Sequence, residues 1–551
     1  MDAIIIADAG SESVSATNQL KLTIGGQVAT IQAVKNFLHN HGRVVDPIIG
    51  DGVSSWGSSL KLNGLYLYSY LSGQGFDVQL VDSYFEEKEK FIEMLKQSPK
   101  AVVISTTFII SKKTLEYLVR DIRTVAPGIF IIAGGQFVYL SSRIRERQKS
   151  DNPIMDIFGN DYLFLDEKNE PPVDLYIISS GGEEILSQAL TMLRKKGKVE
   201  GLPNTATYQR KKYSIGSRAE DRVKVGGITV DWRRMPEEFF HSGVVPLQAS
   251  YGCPYNCAFC NFMKDRRLMG VKPIEDLIEE LKIVQERGAK YVWFADDNFR
   301  LGRNDLERVC QKFIDHRINV KWKSFIRPGA MKGMDMGILK ASGCVEVQFG
   351  LESADLSMLK RMNKKANPDL YAQVIEGVMR AGINCSCYFI FGFPGETEKT
   401  VKRTLEFIKG LEHPELDGCI YFTMFPFIIA PLSSISEPRS AQKYGLKGKN
   451  MYQWEHNTMN SKEAADLATR AFFELETTGI IYHGDNLDLL FELDPRKRKK
   501  FIAIRQDMAK LAAKGLLKEK DLVEAFGDIL LESTTSYSHS SLPVSTVRFS
   551  G

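Results

Sequence analysis

Cys253, Cys257 and Cys260 stand in the stretch YGCPYNCAFCNF, residues 251–262, spaced C-x3-C-x2-C. Thiolates are soft metal ligands, and three in one short loop bind a metal far more often than they sit idle. A structural zinc wants four protein ligands, usually from paired C-x2-C knuckles, and no second knuckle or suitably spaced Cys/His pair follows here. A plain electron-transfer iron–sulfur cluster takes four cysteines. Three ligands leave one position open, and on a [4Fe–4S] cluster that is one iron free to bind a substrate or cofactor. The remaining cysteines, Cys310, Cys344, Cys385, Cys387 and Cys419, lie in apolar stretches and read as small buried hydrophobes. Cys385 and Cys387 are expected on opposite faces of one strand, unable to chelate one metal together.

The elements that must position the loop form a βα array. The stretch 244–252 reads as its first strand. YVWFADD (291–297), VKWKSFIR (320–327), VEVQFGLES (345–353), a strand running into FIFGFPG, and CIYFTMFPF (419–427) follow. Amphipathic helices separate most of them. Six units are too few for a closed eight-unit barrel, so 244–435 is expected to be an open, partial (βα)6 barrel. Upstream, apolar runs at 76–82, 101–106, 129–135 and 174–179 alternate with helical patterns. That pattern predicts an α/β, doubly wound (Rossmann-like) domain over 1–190, with its ligand site at the carboxyl ends of the strands. Residues 191–243 read as a connector with weak strands, 436–533 as a helical domain, and the Ser/Thr-rich 534–551 as a disordered tail. RKRKK (496–500) reads as a solvated helix face in preference to a nucleic-acid patch.

C-x3-C-x2-C after a barrel strand, with the aromatic Phe259 before its last cysteine, resembles the radical S-adenosylmethionine (SAM) superfamily. The resemblance covers roughly 240–430. It implies that the open iron chelates SAM and that one electron cleaves SAM to a 5′-deoxyadenosyl radical. Carried onto this sequence, it assigns the SAM amino group to Asp296 or Asp297 in FADDNF. It gives the SAM carboxylate to Arg327 in FIRPG, and the ribose hydroxyls or amino group to Glu352 in FGLES. Adenine falls to the backbone around Phe391 and Gly392 in FIFGFPGET. Asp297 or Glu396 as a helix cap, and Arg327 as a structural ion pair, are the plainer alternatives. Trp454 and His456 are expected either in the substrate pocket or simply packed.

A doubly wound domain ahead of such a barrel resembles the cobalamin-binding domain of the class B, methyltransferase-like branch. The matching strand ends carry Ser105 and Thr106, Gly134 and Gly135, and the loop with Gly182 and Glu183; glycines there let backbone approach a bulky cofactor. The D-x-H-x-x-G motif, whose histidine ligates cobalt in some relatives, is missing from DPIIGDG (46–52). The resemblance therefore implies a [4Fe–4S] cluster, SAM and cobalamin, serving a methyltransferase that acts on an unactivated carbon, or phosphorus, of a small metabolite or natural-product intermediate. Alternatives are a cobalamin-independent radical SAM enzyme catalysing cyclisation or rearrangement, and a metal- or cobalamin-responsive binding protein. An external low-potential reductant such as flavodoxin or ferredoxin is implied as partner. Residues 1–252 hold no cysteine, which argues against the second cluster of RNA-methylthiolating enzymes.

Composition agrees. The 551 residues are 43% hydrophobic and 25% charged, with a net charge of +4. That balance is globular, and too weak in charge to argue for nucleic acid. No signal peptide is apparent, and the longest apolar run is too short to span a bilayer, so the expected location is cytoplasmic.

Overall fold

The computed structural model describes residues 1–10, 60–151, 153–159, 161–165, 171–209, 212–219, 229–261, 269–299, 303–475 and 493–518, with Thr23–Ile24, Gln27–Val28, Asp521 and Ala525. The loop 46–52 and the tail 534–551 lie outside the described residues.

The first parallel sheet is built from β1 (Ala3–Asp8), β2 (Val78–Ser83), β3 (Ala101–Ser105), β4 (Phe130–Gly134) and β5 (Leu175–Ile177). Antiparallel β6 (Thr205–Gln209) and β7 (Lys212–Ile215) extend it. The order is β2-β1-β3-β4-β5-β6-β7. The chain thus leaves β1 toward one edge and returns toward the other, which puts a topological switch point between β1 and β3. Helices α1 (Leu62–Gly73), α2 (Lys88–Leu95), α3 (Lys112–Val125), α4 (Gln136–Gln148) and α5 (Glu183–Lys196) connect and cover it. Burial of both faces explains why β1 and β3 read as unbroken apolar runs, AIIIAD and AVVIS. Two features differ from the sequence reading. The first strand is Ala3–Asp8, ahead of the run at 76–82. The stretch expected as a connector carries the end of α5 and two strands of the same sheet.

The second sheet comprises β8 (Val244–Leu247), β11 (Tyr291–Phe294), β12 (Lys321–Phe325), β13 (Cys344–Glu352), β14 (Asn384–Phe391) and β15 (Ile420–Pro426), in that order and all parallel. β9 (Ser250–Tyr251) and β10 (Gly270–Val271) form a small hairpin flanking the cysteine loop. The helices are α6 (Ile274–Glu286), α7 (Arg303–Asp315), α8 (Met336–Ala341), α9 (Leu356–Arg361), α10 (Pro368–Arg380) and α11 (Glu398–Lys409). A Thr397–Thr400 capping box starts α11. Six strands in sequential order make the expected partial barrel. Cys385 and Cys387 are both buried in β14, and the expectation of opposite faces is corrected: residues two apart on a strand share a face.

Beyond the barrel, α12 (Pro438–Tyr444) leads into a small sheet of β16 (Lys447–Gly448), β17 (Trp454–His456) and β18 (Met459–Asn460). α13 (Ser461–Glu474) and α14 (Pro495–Ala513) follow. RKRKK is not a plain solvated face. Arg498 is 6% exposed and donates to Asn384 Oδ1 at 3.1 Å and to the Leu493 carbonyl at 3.0 Å, docking α14 beneath β14. Helix α1 meets the segment leading into β8: the Asp231 amide donates to Ser69 Oγ at 2.8 Å, and Tyr68 meets Phe239 edge-on at 5.3 Å.

Candidate functional site

One cavity of about 850 Å³ takes in the carboxyl ends of both parallel sheets. Cys253, Cys257, Cys260 and Phe259 line it from the loop after β9. The loop is seated by backbone bonds: Ala258 N–H to the Met362 carbonyl at 2.7 Å, and Ile435 N–H to the Ala258 carbonyl at 3.0 Å. Asn363 Nδ2 donates to the Asn256 carbonyl at 2.6 Å. Burial pushes the Cys253 thiol up, opposed by the Tyr255 amide and the Arg327 charge.

Asp296 and Asp297 both reach the cavity wall, and both also hold the chain that leads into the cysteines. Asp296 is buried; it accepts from the Ala249 amide at 3.1 Å and from the Ser250 amide and hydroxyl. Asp297 accepts from the Gly252 amide at 2.9 Å. Desolvation pushes these carboxyls up to about 7 and about 6. Neither Asp297 nor Glu396 caps a helix: Thr397 caps α11, and Glu396 accepts from the Gly392 amide at 2.5 Å.

Arg327 lines the cavity at the end of β12, its guanidinium stacked 3.5 Å from the centre of the Tyr255 ring. It donates to the Lys365 carbonyl at 3.1 Å, so the plainer reading of an ion pair is replaced by a stacked cation. Glu352 closes β13 with φ +68°, a left-handed conformation costly for a residue with a Cβ. Its Oε1 accepts from Lys364 Nζ at 2.8 Å, and both side chains line the cavity at 8% residue exposure. Lys364 went unrecognised in the sequence; nothing in NKKAN distinguishes it from its exposed neighbour Lys365.

Phe391 and Gly392 are not brought to this cavity. Phe391 is fully buried, and Gly392 (φ +87°) faces α13, where a Cβ would stand 2.5 Å from that of Ala464 and 2.7 Å from Trp454 Cη2. The small sheet covers this strand end. His456 Nε2 contacts the Gly392 carbonyl at 3.0 Å and stacks on Trp454, whose indole donates to the Phe427 carbonyl at 2.7 Å. Trp454 and His456 are therefore packed, outside the cavity lining.

From the first sheet, Ser105, Gly134, Gly135, Gly182 and Glu183 line the cavity. Thr106 does not: its hydroxyl donates to the Gly134 carbonyl at 2.8 Å and accepts from the Val138 amide at 3.3 Å, locking β3 to β4. The glycines also serve packing. A Cβ on Gly182 would lie 2.6 Å from Ile177 Cγ2, and Gly135 has φ +106° with Thr106 N 3.2 Å from its would-be Cβ. Burial raises the Glu183 carboxyl above its ordinary range. Asn63, also missed in the sequence, bridges the switch point, donating from Nδ2 to the Ala7 carbonyl at 2.8 Å and Ser105 Oγ at 2.7 Å. Val103, Ile132 and Ile177, which share one face of the sheet, line an apolar part of the cavity together with Leu67 and Leu186.

Comparison with known proteins agrees with this arrangement. The radical SAM superfamily profile matches residues 247–408. An uncharacterized methyltransferase of Pyrococcus horikoshii is 24% identical over 362 residues, 63% of this chain and 73% of that protein. Bacteriochlorophyllide d C-12(1)-methyltransferase of Chlorobaculum tepidum is 30% identical over 30% of this chain and 38% of its own. The anaerobic magnesium-protoporphyrin IX monomethyl ester cyclase of Rubrivivax gelatinosus is 22% identical over 53% of this chain. The chain spans 55% of that cyclase, so about half or less of these two relatives is represented. Among solved structures, the radical SAM methyltransferase TsrM of Kitasatospora setae superposes with TM-score 0.53 at 13% identity, over 79% of this chain and 75% of that one. That likeness is one of fold. The segment that matches the radical SAM superfamily holds the cysteine loop and barrel strands β11 to β14.

Proposed function

We propose that this protein is a cobalamin-dependent radical SAM methyltransferase whose acceptor is an unactivated carbon, or phosphorus, of a small molecule. The carrying observation is the single cavity shared by the cysteine loop, the charged ends of β11 to β13 and the apolar lining from the first sheet. The donor set suits a cluster. Among the described residues no three acidic, histidine or cysteine side chains gather as for a lone metal ion. A cubane cluster does not need that, because each thiolate ligates a different iron. In this reading Cys253, Cys257 and Cys260 hold the [4Fe–4S] cluster. Arg327 meets the SAM carboxylate, Asp297 or Asp296 the amino group, and Glu352, oriented by Lys364, the ribose. The names of two curated relatives, both methyltransferases, and the TsrM structure with cobalamin and a [4Fe–4S] cluster bound support the assignment.

When bound, the cluster supplies an electron for SAM cleavage and cobalamin supplies a methyl group. The rest falls to the chain. Ser105, Gly134, Gly135, Gly182 and Glu183 form a floor on which a corrin ring would rest, with Asn63 at the switch point. The apolar part lined by Val103, Ile132 and Leu186 suits the dimethylbenzimidazole tail held away from cobalt, with no histidine on the lower face. His39 and His41 lie outside the described residues, and neither belongs to a D-x-H-x-x-G motif. Anaerobic reconstitution tests the reading. It expects about four irons per chain, a base-off cobalamin spectrum unchanged by His39→Ala or His41→Ala, and a labelled methyl in product from methyl-labelled SAM. SAM cleavage without cobalamin retention would overturn it in favour of a cyclase-type reaction, the reading to which the Rubrivivax relative's name points.

A further inference from the structure

Two segments rich in positive charge hold or adjoin the contacts that seat the cysteine loop. Residues 356–367 (LSMLKRMNKKAN) hold four Lys or Arg and no Asp or Glu; residues 438–449 (PRSAQKYGLKGK) hold four and none. The first touches the loop directly, through Met362 and Asn363, which bond to Ala258 and Asn256 on either side of Cys257; the second follows Ile435, which bonds to Ala258 three residues ahead of it. The two segments meet at Tyr444, with Arg361 6.0 Å and Lys443 5.1 Å from its ring centre. Lys360, Arg361, Lys365, Arg439 and Lys443 are exposed. The nearest carboxylate at the head of the first segment, Asp355, is spent: it is buried and bonded to Arg403 at 2.6 Å. The exposed Tyr255 borders the loop. In a chain of net charge only +4, this is a concentrated basic face within one residue of a cluster-loop cysteine.

We infer that this face docks a small acidic electron-carrier protein, one bearing a flavin or an iron–sulfur centre. The inference rests on the radical SAM reading above, which requires one electron at the cysteine loop for each SAM cleaved. In the docked pair the carrier is oxidised by one electron and the cluster reduced by one; no proton or group moves. Charge complementarity argues for this occupant. Rim cations steer an acidic partner and raise its association rate, steeply so at low salt. Met362 and Asn363 bond to the residues on either side of Cys257, so a carrier seated on the first segment stands beside the cysteine loop.

The test uses the reconstituted full chain and a purified acidic flavodoxin. In the variant Lys360→Glu/Lys365→Glu/Arg439→Glu/Lys443→Glu, SAM cleavage driven by limiting reduced flavodoxin falls by roughly tenfold or more at low salt. Its rate with titanium(III) citrate matches the parent. The dissociation constant for oxidised flavodoxin, measured by calorimetry, rises in parallel, and the parent's affinity weakens with added salt. A Lys195→Glu/Lys196→Glu control, on exposed α5 positions, changes neither. Equal flavodoxin-driven rates and affinities in parent and variant would overturn the docking face. So would tighter binding of a single-stranded RNA oligomer than of flavodoxin to the parent. Loss of cleavage with titanium(III) in the parent itself would instead refute the radical SAM reading.

Discussion

Lys364→Met is the sharpest perturbation of the site. Glu352 and Lys364 form a 2.8 Å ion pair at 8% residue exposure each, and Met removes the ammonium while keeping most of the side-chain volume. Breaking a buried pair by deleting one partner costs about 3–5 kcal/mol, because a buried charge is left without its counterion. The pair faces a cavity that water enters in the absence of ligand, so the loss belongs at the lower end, about 3 kcal/mol. For a domain of the barrel's size, that lowers the melting temperature by roughly 6–12 °C. Glu352→Gln leaves the ammonium stranded instead and costs a similar amount. The double variant strands neither, so it melts above the sum of the two losses, with a coupling of about 1–3 kcal/mol. Anaerobic calorimetric melts of the three variants and parent supply the numbers, and titration with SAM gives affinity on the same samples. SAM binding weakens in all three, including the double variant whose stability recovers. A Lys364→Met protein that melts within about 1 °C of the parent, or a strictly additive double variant, would refute the reasoning.

Three further outcomes follow from the same geometry. Gly350→Ala places a Cβ 2.7 Å from Glu352 Oε1 and 3.2 Å from Lys364 Nζ, so the pair is displaced and SAM affinity, read by calorimetry, drops about tenfold. Burial pushes the Glu396 carboxyl from 4.5 up to about 8. Between those values the folded chain holds a proton that the unfolded chain has released, so this group's contribution to stability falls as pH rises. Glu396→Gln, which keeps an acceptor for the Gly392 amide, flattens the decline in melting temperature between pH 5 and 8 that this group causes. Val103→Phe fills the apolar part of the cavity, so cobalamin retention, followed by absorbance, is lost while iron content and SAM cleavage persist. An unchanged cobalamin spectrum in that variant would remove this part from the binding site.

The sequence by itself determined the cysteine loop, the partial barrel and most strands of the first sheet. Those signals are local: C-x3-C-x2-C is a ligand pattern within one loop, and a strand buried on both faces must be apolar along its length. The same local reading passed over AIIIAD, because a run at the chain start was weighed as a targeting segment and not as the strand β1 at the switch point. The weak strands expected in the connector could not be assigned to the first sheet from sequence, since an edge hairpin gains its place only from pairing with β5. The tertiary structure decided what each strand end faces. FGLES and FIFGFPG look alike as strand ends, yet Glu352 opens on the cavity while α13 and Trp454 cover Gly392. Thr106 turned inward to lock β4, although its neighbour Ser105 lines the cavity. Lys364, the partner of Glu352, stands twelve residues away in an ordinary basic run and becomes distinct only when the chain folds back to bury it. Burial and pairing across such distances depend on which surfaces meet, and no periodicity within a single element encodes that.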